Sequence, residues 1–470
     1  MPLPRHDHSA LRDTQRSVYW LDRPGFTSQT RDRVDGDVAC DLLIIGGGYT
    51  GLWAALQALE RDPNRKVIVI EGDTVAFGAS GRNGGFCDAS ITHGISNGIK
   101  HFPSEIGTLL RLGRENFAGI GHSLTRHSIA ADFEVTGQLS VAAQPWQLEG
   151  MQQDVRELTD HGETATLLDR DQLRDQIASP IFLGGVWQHT NVGLVDPAKL
   201  CIGLATAVEQ LGGVIYEHSV CTMLEADGAM VKVMTSGGVV RASKVVLATN
   251  AFRGLLPAMR RRVVPVWDYV LMTEPLSVQQ LAGIGWSNRQ GLSDAASLFH
   301  YFRLTADNRI LWGGYYAIYH YGGKTDVQRY SQRDATFNLL AHQFFDTFPQ
   351  LEGLRFSHRW GGPIGTTTRF CVTFGTAFAG RVAYAVGYTG LGVGASRFGA
   401  RVALDLLDVA NSEVLKLDFV RSAPMPFPPE PLKSIGIHVT RHSIARSDAS
   451  EGKRNVWLKL LDRFGVGFDS

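Results

Sequence analysis

The sequence predicts an α/β fold in which a parallel sheet covered by helices is joined to a second, antiparallel β domain with helices. Residues 38–45 form an apolar run suited to a buried parallel strand, helix formers follow at 52–60, and a second apolar run occupies 66–71. From residue 263 to about 360 the chain carries aromatic, β-type segments, which predict an antiparallel wall. A chain of 470 residues is long enough to form two such domains.

The turn between the first strand and the first helix indicates a dinucleotide site. Gly46, Gly48 and Gly51 stand at the G-x-G-x-x-G spacing. One glycine makes the tight turn, one lets the backbone approach a pyrophosphate, and the third lets helix and strand pack closely. Glu71 ends the second strand about twenty residues later, where it can accept hydrogen bonds from an adenosine ribose.

Two further glycine turns make FAD the predicted cofactor. Residues 80–85 supply backbone N–H groups, a hydroxyl and a guanidinium suited to a pyrophosphate and a nearby ring. Residues 390–392 begin the last long helix, whose N-terminal dipole would stabilise a reduced flavin. A nicotinamide dehydrogenase needs neither turn, and the second fingerprint typical of an NADPH-using flavin reductase is missing. The cofactor-binding residues predicted in these turns are Gly46, Gly48, Thr50, Gly51, Glu71, Ser80, Arg82, Asn83, Gly84, Gly85, Thr389, Gly390, Leu391 and Gly392.

Four segments together match the pattern of a known family. They are Gly46-Gly-Gly-Tyr-Thr-Gly51 with Glu71, Gly78-Ala-Ser-Gly-Arg-Asn-Gly-Gly85, Val245-Val-Leu-Ala-Thr-Asn-Ala251 and Gly387-Tyr-Thr-Gly-Leu-Gly392. On these motifs the chain resembles the D-amino-acid oxidase (DAO) superfamily of FAD-dependent oxidoreductases over about residues 38–410. Within that superfamily it looks most like the γ-glutamylputrescine oxidase-type branch.

The resemblance implies a glutathione-reductase-like, Rossmann-type FAD-binding domain and a β-rich substrate domain. It implies oxidation of a C–N bond in a primary or secondary amine or amino-acid derivative. Hydride passes from the amine-bearing carbon to flavin N5, water hydrolyses the imine, and oxygen or another acceptor reoxidises the flavin. By the same resemblance Val220 contacts the adenine through its backbone, and Ala248 lies beside the cofactor.

Departures from the family pattern restrict the expectation. Trp360-Gly-Gly362 is followed by Pro363, so the arginine with which relatives clamp a simple amino acid is missing, and Arg369 or Arg303 would have to replace it. No cysteine stands in the matching stretch, which favours non-covalent FAD. Residues 263–269 lack the lysine that speeds reaction with oxygen in some oxidases, so the electron acceptor stays open.

The predicted wall supplies the candidate substrate-site residues, Tyr269, Tyr301, Arg303 and Trp360. The alternative is that these side chains are packing residues with satisfied polar tips. No Ser-His-Asp or metal-binding pattern competes with them. A separate acid or base need not be present, because a neutral amine in a desolvated pocket can deliver hydride directly.

Composition narrows the compartment and the partners. The formal net charge is zero, which gives no electrostatic case for nucleic acid or an anionic membrane. Five scattered cysteines suggest neither a disulfide framework nor a zinc site, and the N-terminus is no signal peptide. We therefore expect a cytoplasmic protein whose partners are a small amine and an electron acceptor. The oligomeric state stays open.

Two other functions remain as alternatives to amine oxidation. One alternative is a flavin monooxygenase, although Val386-Gly-Tyr-Thr-Gly390 stands where that class usually shows Gly-Asp-Ala. The other is the FAD-binding subunit of a heteromeric dehydrogenase.

The predicted domain bounds are 1–37 for an N-terminal arm, 38–101, 191–262 and 370–410 for the FAD-binding domain, 102–190 and 263–369 for the substrate domain, and 411–470 for a C-terminal tail.

Overall fold

A computed structural model describes residues 9–23, 26, 29–252 and 254–466. Much of the predicted N-terminal arm is therefore described, but residues 1–8 lie outside that range. The strands, in chain order, are β1 (Gly36–Ile45), β2 (Val67–Ile70), β3 (Phe86–Asp88), β4 (Gln138–Ala142), β5 (Ala165–Leu168), β6 (Gly184–Gln188), β7 (Val192–Leu194), β8 (Val214–Tyr216), β9 (Cys221–Asp227), β10 (Met230–Thr235), β11 (Gly238–Leu247), β12 (Val264–Thr273), β13 (Gly291–Asp294), β14 (His300–Leu304), β15 (Ile310–Ile318), β16 (Phe356–Thr366), β17 (Thr373–Ala377) and β18 (Val382–Val386).

The helices lie between and beyond these strands. The α-helices are α1 (Tyr19–Asp22), α2 (Tyr49–Arg61), α3 (Ile95–His101), α4 (Ile106–Arg126), α5 (Gln147–Asp160), α6 (Arg170–Arg174), α7 (Pro197–Gln210), α8 (Pro257–Arg262), α9 (Val278–Ile284), α10 (Val327–Tyr330), α11 (Asp334–Thr347), α12 (Gly392–Asp408), α13 (Asp418–Arg421), α14 (Leu432–Asp448) and α15 (Val456–Arg463). Short 3₁₀ turns occupy Ser9–Leu11, Ala79–Gly81, Pro349–Leu351 and Glu413–Lys416.

The first sheet contains the predicted βαβ unit. It has eight strands, with β17-β18-β11-β1-β2-β8 as its main order and β10 and β9 added beside β11. β1 pairs in parallel with both β2 and β11, and β11 pairs in parallel with β18. Helices α2, α7 and α12 pack together on one side, and nearly every residue of α2 is buried. The predicted α/β fold is confirmed.

The second sheet forms the predicted wall. Its eight strands run in the order β16-β12-β15-β14-β13-β4-β6-β5. The strand pairs are antiparallel except that β13 and β4 are parallel. Aromatic side chains such as Trp267, Phe302 and Trp312 cover one face and pack against Phe337 and Phe344 of α11.

One predicted element differs from the structure. The sequence predicts a single helix over residues 328–348, whereas α10 and α11 are separate. Arg333, which precedes α11, has extended backbone angles (φ −132°, ψ 91°), and the Gln332 side chain donates to the backbone oxygen of Arg359. Residues 331–333 thus turn toward β16 instead of continuing the helix.

The described helices include none that is long and apolar enough to cross a bilayer.

A glycine-to-alanine exchange tests the packing between β1 and α2. A Cβ atom on Gly51 would lie 1.9 Å from the Gly46 carbonyl oxygen, so we expect Gly51→Ala to destabilise the protein by about 3 kcal/mol. Gly107→Ala in α4 is the matched control, since its Cβ would meet nothing within 4 Å. Denaturant unfolding of both variants measures the difference. Equal stability of the two variants would contradict the close packing.

Candidate cofactor and substrate site

One large cavity lies between the two sheets. It encloses about 1280 Å³ and is bordered by the loops that follow the carboxyl ends of β1, β2, β11 and β18, together with the wall strands β12 and β16. Ligands of open α/β sheets bind at this end of the strands. All the predicted cofactor residues except Gly51 and Gly85 line it.

The dinucleotide turn is held by Glu71 and Ser80. One Glu71 carboxylate oxygen accepts from the Gly47 N–H (2.7 Å) and the other from the Asp73 N–H (3.0 Å). Burial raises the pKa of Glu71, and these backbone donors oppose that shift. The Ser80 hydroxyl accepts from the Tyr49 N–H (2.9 Å) at the start of α2. Both side chains face the cavity at the positive end of the helix.

The second glycine turn is braced by its own polar side chains. The Asn83 amide donates to the oxygens of Ala79 (3.0 Å) and Ser80 (2.9 Å), and its carbonyl accepts from Gly85 N–H (2.8 Å). Arg82 donates to the oxygens of Phe77 (2.8 Å) and Gly361 (3.2 Å), and burial lowers the pKa of Arg82 to about 10. The turn therefore presents fixed backbone atoms to the cavity.

The third turn is fastened to the loop after β11, to His93 and to α2. Asn250, in the left-handed region with φ 43°, accepts from the Gly387 N–H (2.9 Å). Thr389 accepts at its carbonyl from the ring of His93, with the two atoms 2.9 Å apart. Thr50 donates to the Tyr388 hydroxyl (2.9 Å), which ties this turn to α2.

Two of the predicted substrate-site residues support the backbone of the second turn. Trp360 lines the cavity, and its indole N–H donates to the Arg82 oxygen (2.9 Å). Arg303 lies behind the turn, 3% exposed, and donates to the oxygens of Val195 (2.6 Å) and Gly84 (3.4 Å). Burial lowers the pKa of Arg303 to about 10. The prediction that Arg303 lines the pocket is thus corrected.

Trp20, in the predicted N-terminal arm, has a similar role. It is fully buried in α1, and its indole N–H donates to the Asn83 oxygen (3.0 Å). The predicted N-terminal arm therefore reaches the cofactor side of the molecule.

Tyr269 does not lie in the cavity. Side chains alternate between faces along β12, and Tyr269 shares the core face with Trp267 and Leu271. Its hydroxyl donates to the backbone oxygen of Tyr330 (2.9 Å), and its ring packs edge-on against Phe337.

The opposite face of β12 carries a residue that the sequence reasoning missed. Asp268 lines the cavity and is 7% exposed. Tyr301 also lines it and donates its hydroxyl to Asp268 at 2.5 Å. The Tyr301 ring lies across Gly313, where a Cβ would be 2.2 Å from the ring carbon Cζ. A carboxylate in an otherwise apolar strand was the signal that could have revealed this pair.

The outer part of the cavity is polar. Carboxylates from several elements line it, among them Asp88, Asp154 and Glu163, and Arg114 pairs with Glu163 at 2.8 Å. Ala295, Ala296 and Phe299 line the cavity on either side of residues 297 and 298. The C-terminal segment fixes that loop, since Asp448 of α14 accepts from the N–H groups of Ser297 and Leu298 (both 3.1 Å).

Comparison with known proteins places the chain in a family of redox enzymes. The family model described as "FAD dependent oxidoreductase" (DAO) matches residues 41–406. The chain belongs to the DAO family of FAD-dependent oxidoreductases.

Individual relatives agree with this assignment. Gamma-glutamylputrescine oxidoreductase of Escherichia coli strain K12 is 32% identical over 404 residues, covering 84% of this chain and 90% of the relative. OrdL of Haemophilus influenzae, named as a probable oxidoreductase, is 31% identical over 380 residues, covering 78% and 82%. In fold, glycine oxidase from Geobacillus kaustophilus superposes with a TM-score of 0.67 at 19% identity, covering 80% of this chain and 96% of that one.

The donors around the cavity fit the cofactor that the family implies. Two helix N-termini, those of α2 and α12, point toward it, and the buried Thr249 hydroxyl finds no hydrogen-bond partner among the described residues. Thr249 lines the cavity, so a ligand can satisfy it. The volume exceeds that of ordinary small-ligand pockets, which suits an extended dinucleotide together with a substrate.

An Asn83→Ala exchange tests the bracing of the second turn. It removes three hydrogen bonds inside the turn, and we expect the dissociation constant for FAD to rise at least about tenfold, or 1.4 kcal/mol. Flavin released on dilution is measured by its fluorescence. Asn288→Ala, which removes an exposed amide bound to Gln176, is the control. Unchanged FAD affinity in a folded Asn83→Ala protein would refute the assignment.

Proposed function

We propose that this protein oxidises a C–N bond in a primary or secondary amine or amino-acid derivative, with FAD as cofactor. The observation that carries the proposal is the single cavity in which the three glycine turns meet an aromatic wall around the buried Asp268. The membership of the chain in the DAO family and its similarity to gamma-glutamylputrescine oxidoreductase of Escherichia coli support the reaction class.

The cofactor residues are assigned by their position around the cavity. Glu71 would hold the adenosine ribose, and Val220 would contact the adenine through its backbone. The turns at 80–85 and 389–392 would hold the pyrophosphate and flavin portions. Ala248 lies next to the dinucleotide turn, since its N–H donates to Ile45 (2.8 Å). When bound, FAD supplies the acceptor for the hydride that leaves the amine-bearing carbon.

Non-covalent attachment is the second element of the proposal. All five cysteines are buried, and among the residues that line the cavity only Cys221 is a cysteine, next to Val220 at the adenine end. A thiol there is remote from the turns assigned to the flavin. Burial also raises the pKa of Cys87 and Cys371, which disfavours their reactive thiolate forms.

The wall residues would orient the substrate and exclude water. Tyr301, Trp360, Phe86 and Phe299 line the cavity between the flavin turns and its outer part. Their apolar surfaces lower the local dielectric, so a bound ammonium group gives up a proton to a nearby acceptor more readily than it does in water. The start of α12 adds a positive dipole end on the cofactor side.

The outer part of the cavity supports an elongated substrate. Its lining includes the amide side chains of Gln138, Gln188 and Asn191 and the Arg114–Glu163 pair. Such a surface can bind a polar group several bonds away from the oxidised nitrogen. We therefore propose that the substrate is an amine that carries an amide or amino-acid group at the end away from the oxidised nitrogen, in line with the name of the Escherichia coli relative. Oxygen or another acceptor would reoxidise the flavin.

The two sheets also suggest the domain division. We propose that the FAD-binding domain follows the β1-containing sheet (38–101, 191–262 and 370–410) and that the substrate domain follows the wall (102–190 and 263–369).

Anaerobic mixing tests the reaction. Purified protein should show a flavin absorption band. An N-acylated diamine should bleach this band after anaerobic mixing, whereas the same compound with a hydroxyl in place of the amino group should not. Hydrogen peroxide formed after admission of air distinguishes an oxidase from a dehydrogenase. Protein that holds FAD but is not bleached by any of a broad amine panel would overturn the proposed reaction.

A further inference from the structure

Asp268 is a buried carboxyl on the substrate side of the cavity whose role the family motifs do not assign. We infer that Asp268 binds the substrate's ammonium group and accepts one of its protons, and that Tyr301 positions the Asp268 carboxylate for this transfer. The inference rests on the proposed amine oxidation and adds to it the protonation state of the substrate and the group that sets it.

The backbone register aims Asp268 into the cavity. Asp268 pairs with Gly362 of β16, and residues directly opposite in an antiparallel pair share a face. Gly362 has no side chain to cover the carboxylate, and Gly362 lines the same cavity. On the next strands, Gly313 leaves room for the Tyr301 ring to reach Asp268. Gly313 thus lets Tyr301 reach the carboxylate, and Asp268 itself borders the cavity.

The carboxylate has two fixed donors and spare acceptor capacity. One oxygen accepts from the Tyr301 hydroxyl (2.5 Å) and the other from the Tyr269 N–H (2.8 Å). An ionised carboxylate offers about four acceptor positions, so it can still accept from a substrate N–H. The donors hold the side chain in one orientation without neutralising it.

The charges around Asp268 leave it without a counter-ion among the described residues. His300 of β14 contributes an attraction, but its ring is bound to Asp294 (2.6 Å) and to the Tyr316 hydroxyl (3.2 Å). Arg82 instead directs its guanidinium to the backbone oxygens of Phe77 and Gly361. A buried carboxylate without a cation is costly, and an incoming ammonium would remove that cost.

Titration of Asp268 falls in the range where the proton transfer is useful. Burial raises the pKa of Asp268 to about 7, and the bonds from Tyr301 and Tyr269 oppose that rise. Near neutral pH the group can therefore exist as the carboxylate that takes a proton and as the acid that releases it to solvent.

Aromatic rings beside Tyr301 suit a cation. Phe86 and Phe299 flank Tyr301 with ring centroids 6.0 and 6.3 Å from it, and all three line the cavity. Ring faces attract ammonium groups by up to about 2 kcal/mol where water is excluded. The combination of carboxylate and rings favours an amine over a carboxylate or an alcohol at this position.

The proton balance of the step is simple. The substrate arrives as R–NH₃⁺, one N–H bond breaks, and an O–H bond forms on Asp268. The electron pair left on nitrogen assists departure of the hydride from the adjacent carbon, as the proposed reaction requires. Asp268 then returns its proton to solvent.

The pH dependence of anaerobic flavin reduction tests this role in the holoenzyme. At low substrate concentration the wild-type second-order rate constant should rise through pH 7 and then level off, because ionised Asp268 uses the abundant ammonium form. In Asp268→Asn it should be about 100-fold lower at pH 8. It should also continue to rise about tenfold per pH unit toward the pKa of the amine, near 10.

Two further variants distinguish proton transfer by Asp268 from a nonspecific effect of a substitution on the rate of flavin reduction. Tyr301→Phe removes a hydrogen bond that lowers the pKa of Asp268, so the inflection should move to higher pH. Asp346→Asn removes an exposed carboxyl that does not line the cavity and should leave the inflection in place. A plateau above pH 7 in Asp268→Asn, or an unmoved inflection in Tyr301→Phe, would overturn the inference while leaving amine oxidation intact.

Binding of tetramethylammonium gives a readout that does not depend on turnover. This cation carries no transferable proton, so its affinity for the oxidised holoenzyme, measured by calorimetry, should increase as pH rises through 7 and should be lost in Asp268→Asn. If no amine bleaches the flavin but this binding pattern is found, the ammonium site stands and the proposed oxidation fails. If the affinity is independent of pH and of the substitution, the ammonium site is wrong.

Discussion

The close approach of α2 to the end of β1 is the constraint on which the site depends. At Gly51 the helix touches the Gly46 carbonyl so closely that no side chain fits. This contact brings the first N–H groups of α2 to the edge of the sheet, beside Glu71 and Ser80. Because β1 is paired on both sides, any shift of the helix would also disturb β2 and β11. The position of the cofactor site thus follows from backbone packing.

The polar side chains around the cavity divide into two groups. Arg82, Asn83, Arg303 and Trp360 donate to backbone oxygens, so their main effect is to hold the glycine turns in shape. Asp268 and Tyr301 instead bond to each other and leave acceptor capacity facing the cavity. The first group explains how flexible, glycine-rich segments become a fixed surface. The second group is where chemistry with a substrate would occur.

The sequence was informative where local spacing determines structure. The strand–turn–helix at residues 38–60 and the acid at Glu71 were predictable, because their geometry is set by residues close in the chain. The face of the wall that borders the substrate side of the cavity was not predictable. β12 is buried on both faces, so the pattern of apolar residues along it does not show which face borders a cavity. Tyr269 and Asp268 are neighbours on opposite faces of this strand, so an error of one residue exchanges them. The roles of Trp20 and Arg303 depend on contacts with Asn83 and Val195, 63 and 108 residues away, that spacing cannot reveal.

The pairing of β1 has a consequence for synthesis on the ribosome. β1 and α2 emerge early, but β11 is complete only at residue 247 and α12, which packs on α2, only at residue 408. Until then β1 lacks its partner on one edge and α2 lacks the last helix that packs on it, so apolar surface stays exposed on the nascent chain. Such edges invite pairing with other chains. The cofactor site can therefore assemble only after residue 408 has been synthesised, and residues 36–61 wait until then for the last of their packing partners.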